Sequence, residues 1–413
     1  MIYEPGGRGS GLSMPHSALG FFTIGKRMAS SGFAQHCKFE VPEIIFGRGL
    51  LAQVGPCARR LGGKKVFLVS DQGLFQAGWV DRVMKSLQAA GLAFVYFDQV
   101  TPNPKDYEIE AGAAEYAAAG ADVIVGLGGG SAMDAAKGIA ILVSNGASIH
   151  DYQGTDKIHQ PLPPLVLCPT TCGTGSDVSQ FAVVNNTQEK FKYTIMSRCI
   201  APDISLTDPD TLHTLPDEYL RASALDALTH AVEAYFSVAS SSLTDVNALR
   251  AMRLLSKSFV RAIRERQPQD LDDLSRASLH AGMSFSNALL GVGHALSHPI
   301  GGLYDANHGT VNSILLPEVL LYDFPVVEDK LAEMADALGH SPAGNLGMHE
   351  QMIQETILSL LDAAELPRSL KHLGVRQQDL AGVADRAAQD VCVLTSPRET
   401  DREDLLGLLE KVY

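Results

Sequence analysis

The chain has 413 residues, of which 46% are hydrophobic and 19% are charged, and its formal net charge at pH 7 is −14. This composition is typical of a globular protein with a sizeable core, long enough for two domains or one large one. The acidic balance argues against a nucleic-acid partner, because no basic patch is present to neutralise phosphates. No apolar run reaches the length of a membrane span, so we expect no membrane contact.

The amino-terminal segment and the cysteines indicate location more than function. Residues 1–36 carry their stronger charge, Lys26 and Arg27, after the short apolar stretch, whereas a signal peptide carries it before. We interpret residues 1–36 as a disordered extension. The six cysteines form no C-x-x-C pair, which argues against a disulfide framework and against a cysteine zinc site. Free thiols suit a reducing compartment, so we expect a cytoplasmic protein.

The segment from residue 37 to residue 216 alternates β-rich runs with helical stretches. Strands at this spacing, separated by helices, form a parallel sheet with helices on both of its faces, so we predict an α/β domain. Hydrophobic patterning predicts strands at 64–71, 93–100, 121–130 and 164–171, and helices at 81–91, 106–120 and 131–143.

After residue 216 strand signals nearly vanish and helical periodicity dominates. The sequence therefore predicts a second, all-α domain over residues 217–413. Its predicted helices are 217–239, 244–266, 270–288, 310–323, 326–337, 347–363 and 401–412.

A glycine-rich turn, Gly128–Gly129–Gly130, joins a predicted strand to a predicted helix. Glycines at such a turn let backbone N–H groups approach a phosphate, and the helix N-terminus favours the negative charge. Ser131 is predicted to cap this helix and to donate to the phosphate. The alternative is an ordinary tight turn, because the segment is not the G-x-G-x-x-G fingerprint.

Two other predicted strands also end in polar residues. Asp71 follows the first strand, where a carboxylate can accept from a ribose and repel a 2′-phosphate, favouring NAD over NADP. A helix cap is the alternative for Asp71. Thr170, Thr171 and Thr174 follow another strand and offer hydroxyls to phosphate and ribose. Because these strand ends meet at one edge of a parallel sheet, together they predict a nucleotide site.

The stretch "GVGHALSHPIGGLYDANHGT", residues 291–310, holds His294, His298 and His308 among apolar residues and glycines. Taken singly, each is expected to be a satisfied core or capping histidine, because buried polar groups need partners. However, Asp226 and His230 lie four residues apart and therefore share one helix face. With His294 and His308 they would form a metal site of one carboxylate and three imidazoles, open to Fe²⁺, Zn²⁺, Ni²⁺ or Mn²⁺.

Two further side chains near this predicted site receive different assignments. His298 lies one helical turn after His294 and would either ligate the metal or carry a proton. Glu233 is assigned to a different helix face from Asp226 and is left out of the ligand set.

Several long motifs, in the right order, resemble those of the iron-containing (group III) alcohol dehydrogenases from Phe39 to the C-terminus. The resemblance implies a nucleotide-binding α/β domain, a helical domain and an active site in the cleft between them, the dehydroquinate synthase-like fold. The motifs are "FGRG" (46–49), "PNP" (102–104), "GGGSAMDAAK" (128–137), "PTTCGTGSD" (169–177), "DALTHAVEAY" (226–235), "GVGHALSHPIGGLYDANHG" (291–309) and "DVCVLTSPRE" (390–399).

The resemblance also implies roles for individual positions. Asp226, His230, His294 and His308 match the family's metal ligands, and His298 matches a histidine near the nicotinamide, our candidate for the proton path. The pocket for the alcohol is expected to be lined by Phe181, Phe285, Leu290 and Cys392. The residues expected to bind the cofactor are Asp71, Asn103, Gly129, Gly130, Ser131, Thr170, Thr171, Thr174, Ser179 and Lys192.

Departures from the family pattern bear on the substrate. Phe181 replaces a polar residue of some relatives, Cys172 replaces a usual Ala, and Ala224 replaces a frequent Gly. A bulky Phe181 beside Phe285 predicts a tight apolar pocket, hence a small primary or short aliphatic alcohol or aldehyde. The implied reaction is reversible hydride transfer with NAD(H), a divalent metal such as iron binding the alcohol oxygen. A homodimer or larger homo-oligomer is expected from the family.

Two alternative enzymes share the fold, and a third alternative belongs to a different functional class. A glycerol-type dehydrogenase would use zinc with fewer protein ligands, and the fourth predicted ligand, His308, argues against it. A dehydroquinate synthase would need Lys and Arg for its anionic substrate, and residues 291–310 contain neither. A regulatory relative would keep cofactor and metal without turnover.

Overall fold

A six-stranded parallel sheet forms the centre of the first part of the chain in the computed structural model, which describes residues 38–413. The extension predicted for residues 1–36 lies outside the described residues. The sheet has the order β1-β9-β6-β4-β2-β3, and every pairing within it is parallel. Its strands are β1 Glu43–Phe46, β2 Lys65–Val69, β3 Ala93–Phe97, β4 Val123–Gly128, β6 Leu165–Pro169 and β9 Ile204–Thr207.

Alternation along the strands distributes side chains to two hydrophobic layers. In β2, Phe67 and Val69 pack into one layer while Val66 and Leu68 pack into the other, and all four are fully buried. A strand with both faces buried is expected where helices cover both sides of a parallel sheet. The predicted α/β class is confirmed. The helices of this part are α1 Val54–Arg60, α2 Gln72–Gln76, α3 Trp79–Ala89, α4 Asp106–Ala119 and α5 Gly130–Asn145.

A second, three-stranded sheet was not predicted. Its strands are β5 Gly154–Thr155, β7 Phe181–Asn186 and β8 Phe191–Met196, in the order β5-β8-β7. The antiparallel hairpin β7–β8 pairs Phe181 with Met196 and Asn185 with Lys192. The prediction of a parallel sheet alone was therefore incomplete, and two predicted site residues, Phe181 and Lys192, lie on this hairpin.

The second part of the chain is helical, as predicted. The fully buried alanines along the helix Asp217–Phe236 let it pack closely against the helices Ser242–Glu265, Pro268–Ala288 and His308–Asp323. The predicted helix 326–337 is shorter, because two 3₁₀ turns, Phe324–Val326 and Glu328–Lys330, precede it. A domain boundary at residue 216 stays a prediction. The helices are α6 Asp217–Phe236, α7 Ser242–Glu265, α8 Pro268–Ala288, α9 Val292–Tyr304, α10 His308–Asp323, α11 Leu331–Ala337, α12 Leu346–Ala364, α13 Leu380–Ala387 and α14 Arg402–Val412.

Helix α9, which carries His294 and His298, was missing from the predicted helices. Its glycines and Pro299 lower its intrinsic helix propensity, so packing has to hold it. The glycines also allow that packing, because a Cβ on Gly302 would come within 2.7 Å of the Phe191 Cα atom. Helix α9 therefore lies directly against β8.

Among the described residues, no single helix has both the length and the hydropathy of a membrane span. The segments His308–Val326 and Glu328–Ala337 pass such a test only as a pair, and the two are bent by 104°.

Candidate active site

Four side chains predicted as metal ligands converge between three helices. Asp226 and His230 project from α6, His294 from α9, and His308 from the first turn of α10. One donor atom from each lies within 4.8 Å of the donors of the other three. We call this group the donor cluster. The structure thus brings together residues separated by up to 82 positions in sequence, while their role as ligands stays a prediction.

Burial keeps two of the imidazoles neutral. It lowers the pKa of His230 to about 4, and it lowers the pKa of His308 well below its ordinary value. Neutral imidazole is the form that offers a lone pair to a divalent cation. Burial alone would lower the pKa of His294 too, but the neighbouring Glu233 carboxylate raises it above its ordinary value.

Asn312 provides a test of whether the donor cluster fits a metal. Its Nδ2 atom lies 2.7 Å from Asp226 Oδ1, 3.0 Å from His294 Nε2 and 3.2 Å from His308 Nε2. An amide has two N–H protons, so these three acceptors outnumber them. The cluster therefore carries surplus lone pairs in a buried place, and one carboxylate with three imidazoles is a donor set that suits Fe²⁺ or Zn²⁺.

His298 lies beside the donor cluster without belonging to it. Its ring is stacked on the ring of His308, with centroids 5.7 Å apart and planes 8° apart. Its Nδ1 atom is 2.7 Å from Asp390 Oδ2. Burial raises the pKa of Asp390, but His298 more than offsets this and holds it below its ordinary value. An ionised carboxylate only accepts, so the Nδ1–H of His298 donates to it, and in the neutral imidazole the lone pair is on Nε2. Asp390 was not predicted as a site residue from the sequence.

Glu233 contacts the site, although the sequence interpretation placed it on a different helix face from Asp226. The assignment to a different helix face was wrong, because seven residues at 100° each return to within about 20° of Asp226. Glu233 lies two turns further along α6, about 10.5 Å by helix rise, which keeps it out of the donor cluster. Its Oε2 atom is instead 2.5 Å from Nδ1 of His294.

The predicted phosphate-binding turns after β4 and β6 lie side by side. A Cβ on Gly129 would come within 3.1 Å of Thr171 Cγ2, and one on Gly130 within 2.7 Å of Thr174 Oγ1. The N–H of Thr170 donates to the carbonyl of Gly128 at 2.9 Å. Glycine at both positions allows this close approach, so the two turns form one continuous surface at the strand ends.

Ser131 does not cap α5, contrary to the prediction. The helix begins at Gly130, and its N-cap is Gly129, which makes no side-chain cap. The Ser131 hydroxyl instead accepts from the N–H of Asn103 at 3.0 Å. This bond joins the glycine turn to the loop after β3.

Asn103 and Lys192 meet at the junction between the sheet and the helical part. The Asn103 Oδ1 atom accepts from Lys192 Nζ at 2.6 Å, and its amide nitrogen donates to Asp305 at 2.5 Å. Burial lowers the pKa of Lys192 to about 8. Asn103 has a φ of 57°, a left-handed conformation that asparagine tolerates better than most residues. These contacts bring two predicted cofactor residues to the C-terminal end of α9.

The two remaining predicted cofactor residues, Asp71 and Ser179, form hydrogen bonds with other groups of the protein. Asp71 caps α2, its Oδ1 accepting from the N–H of Leu74 at 3.0 Å, and a Cβ on Gly128 would lie 3.7 Å from its Oδ2. The cap interpretation of Asp71 is therefore correct, and the residue also stands at the predicted edge. The Ser179 side chain is buried and accepts from Lys137 Nζ at 3.1 Å, which ties it to the interior.

The four predicted pocket residues form one apolar cluster beside the donor cluster. The Phe285 ring stacks on His230 with centroids 4.5 Å apart, and the Phe181 ring stacks on Phe285 at 6.0 Å. Leu290 and Cys392 complete the cluster, together with small alanines. Burial raises the pKa of the Cys392 thiol well above its ordinary value, which keeps it protonated and favours a packing role.

A cavity of about 520 Å³ adjoins His298. Lys192, Asp390 and Val391 line this cavity, as do Arg386 and Gln389. His298 therefore faces both the donor cluster and a space large enough for a small molecule.

An α/β sheet with glycine and threonine turns at its strand ends, next to buried imidazoles, is the architecture of a dinucleotide-dependent oxidoreductase. Comparison with known proteins supports this class. Residues 42–209 match the family model described as iron-containing alcohol dehydrogenase, and residues 221–413 match that of the Fe-containing alcohol dehydrogenase family, C-terminal. The chain belongs to the iron-containing alcohol dehydrogenase family.

Individual relatives span nearly the whole chain. The 1,3-propanediol dehydrogenase of Klebsiella pneumoniae is 36% identical over 379 residues, which cover 90% of this chain and 98% of the relative. The NAD-dependent methanol dehydrogenase of Bacillus methanolicus is 30% identical over 377 residues, again 90% and 98%. A crystal structure of 1,3-propanediol oxidoreductase superimposes with a TM-score of 0.89 at 35% identity, covering 92% of this chain and all of that one.

The protein is therefore an alcohol oxidoreductase of this family, and iron is the metal that fits the family. This favours an enzyme over the regulatory alternative.

Proposed function

We propose that the protein transfers a hydride reversibly between a small primary or short aliphatic alcohol and NAD, at a divalent metal held by the donor cluster. The observation that carries the proposal is the convergence of Asp226, His230, His294 and His308 within 4.8 Å, directly against the Phe285 ring. When bound there, iron would act as a Lewis acid that polarises the alcohol oxygen and lowers its pKa. Zn²⁺, Ni²⁺ and Mn²⁺ are the alternatives that the donor set allows.

The protein's own residues would position the reactants. The turn at Gly129–Gly130 and the threonines after β6 offer backbone N–H groups and hydroxyls to the phosphates of NAD, and α5 adds its N-terminal dipole. Asp71 stands at the same edge, where its carboxylate favours a free 2′-hydroxyl over a 2′-phosphate. We therefore propose NAD rather than NADP as the preferred cofactor.

His298 would carry the proton released by the alcohol. Asp390 holds Nδ1 as a donor, so Nε2 can accept a proton directly or through a water or ribose hydroxyl. The Phe181–Phe285–Leu290 wall would exclude water from the reacting atoms and receive the alkyl chain. Cytoplasmic location and a homo-oligomeric state stay predictions from the sequence.

Substrate size is expected to depend on Phe181. The wild type should reduce NAD with two- to four-carbon primary alcohols and prefer them to six-carbon alcohols. Phe181→Ala should raise kcat/KM for the longer alcohols by at least about tenfold relative to the short ones, because even one additional methylene that a pocket can bury changes selectivity by about that factor. The rate of NADH formation across the alcohol panel measures both the preference of the wild type and its change in Phe181→Ala.

Tyr219→Ala, an aromatic truncation at an exposed position of α6, is the control and should leave the preference unchanged. An unaltered preference in Phe181→Ala would place Phe181 outside the pocket. Failure of the wild type to reduce NAD with any alcohol of the panel would contradict the proposed function.

A further inference from the structure

We propose that Glu233 is a positioning residue for the metal: it orients His294 toward the donor cluster and, with the same carboxylate, caps helix α9. The inference rests on the proposed metal site and adds to it a residue outside the ligand set. It is carried by the contacts of one buried side chain that reaches from α6 to the start of α9.

The Glu233 carboxylate satisfies the first turn of α9. It accepts from the N–H of Gly293 at 2.6 Å and from the N–H of Gly291 at 3.1 Å. The first N–H groups of a helix have no partner within the helix, and here the N-cap residue Gly291 has no side chain to offer. A negative charge at this end is also favoured by the helix dipole. Glu233 thus replaces the missing cap from a neighbouring helix.

The glycines of "GVGH" make this contact sterically feasible. A Cβ on Gly293 would lie 2.6 Å from Glu233 Oε1, and a Cβ on Gly291 would lie 3.2 Å from it. Any larger residue at position 293 would push the carboxylate away from the helix. The same glycines that kept α9 from being predicted as a helix therefore allow the Glu233 carboxylate to approach its first turn.

The same carboxylate fixes the ring of His294. Nδ1 lies 2.5 Å from Glu233 Oε2, and both side chains are 1% exposed. A carboxylate acceptor makes Nδ1 the protonated nitrogen, which leaves the lone pair on Nε2. Nε2 is the atom that points into the donor cluster, 3.0 Å from Asn312 Nδ2. A carboxylate behind a ligating imidazole fixes its tautomer and raises its basicity toward a metal.

The charge of Glu233 also suits a divalent cation. The donor cluster itself supplies one carboxylate, Asp226, and three imidazoles. Adding Glu233 gives two negative charges in a dry interior, and buried charges are tolerated when they are balanced. A dication balances both.

The test measures metal affinity and ligand geometry in the full-length protein, with Co²⁺ as the probe. Glu233→Gln keeps the shape of the side chain. Its amide has only one oxygen that can accept from the N–H donors, whereas the carboxylate accepts through two. Co²⁺ binding, measured by competition with a chelator, should weaken about 10- to 100-fold. The d–d absorption bands of bound Co²⁺ should also change, which loss of stability alone would not produce.

Asp208→Asn is the matched control. Asp208 is a 1% exposed carboxylate that likewise accepts from backbone N–H groups, those of Gly49 and Leu51, and it lies directly after β9, outside the donor cluster. Its variant should bind Co²⁺ with the affinity and spectrum of the wild type. An equal loss in Asp208→Asn would overturn the proposal, because the effect would then be general.

The outcomes separate this inference from the proposed function. If the wild type binds no Co²⁺, the metal site itself is wrong. If the wild type binds and Glu233→Gln gives the same affinity and bands, the role of Glu233 is overturned. Should Glu233→Gln fail to fold, Glu233→Asp keeps the charge but withdraws the carboxylate by one methylene. It is expected to show the same loss, and wild-type binding by it would overturn the proposal.

Discussion

His294→Ala is expected to lose both the metal and turnover. The substitution removes one of four converging donors and leaves Glu233 as a buried carboxylate without its imidazole partner. Metal polarisation of an alcohol oxygen contributes several kcal/mol to the transition state, so kcat/KM should fall by at least about a thousandfold. Elemental analysis of anaerobically purified protein gives the metal content, and NADH formation from short alcohols gives the rate.

His340→Ala is the control for that experiment. His340 lies in the helical part outside the site and bonds to Thr356 through Nε2, so its loss should leave metal content and turnover as in the wild type. Retention of full metal content by His294→Ala would remove His294 from the ligand set. Stoichiometric metal in the wild type without turnover on any alcohol or aldehyde would favour the regulatory relative instead.

His298→Ala is expected to separate chemistry from metal binding. His298 stacks on His308 but stands outside the donor cluster, so the metal should stay bound while its proton path is lost. General acid–base groups contribute typically 10²- to 10⁴-fold, and kcat should fall by about that factor. Steady-state kinetics at saturating NAD, with metal content measured on the same samples, distinguishes the two effects.

Gln389→Ala serves as the comparison, because Gln389 borders the same cavity and its amide bonds only to the Asp385 carbonyl among the described contacts. It should keep nearly wild-type kcat. A His298→Ala variant that turns over normally would exclude His298 from the proton path. One that loses its metal would make His298 a ligand, the other role considered for it from the sequence.

The parts of the fold that follow from local patterns were predictable. Strand β2 and helix α4 carry their own periodicity and lie within a few residues of the predicted bounds. Asp226 and His230 share a helix face by spacing alone. Their meeting with His294 and His308 came from the family resemblance, since ligand spacing by itself left core histidines as the better interpretation.

What the sequence missed depends on packing between distant segments. Asp390 reaches His298 across 92 residues, and no local pattern marks that pairing. The sequence of α9 does not predict a helix, because its glycines have low helix propensity. These glycines instead allow Lys192 and Glu233 to approach the helix closely. The sequence did contain a signal that Glu233 faces the site, since a spacing of seven residues returns to the helix face of Asp226. The angle around the helix axis does not, however, give the distance between the two residues along that axis.

The most direct test of the metal-dependent mechanism is removal and return of the metal in the wild-type protein. NAD reduction with a short primary alcohol is measured on the anaerobically purified protein, after exhaustive chelation, and again after addition of Fe²⁺. We expect turnover to vanish on chelation and to return with about one Fe²⁺ per chain, because the described residues contain one four-donor cluster. Undiminished turnover in the metal-free protein would contradict the proposed role of the four donors.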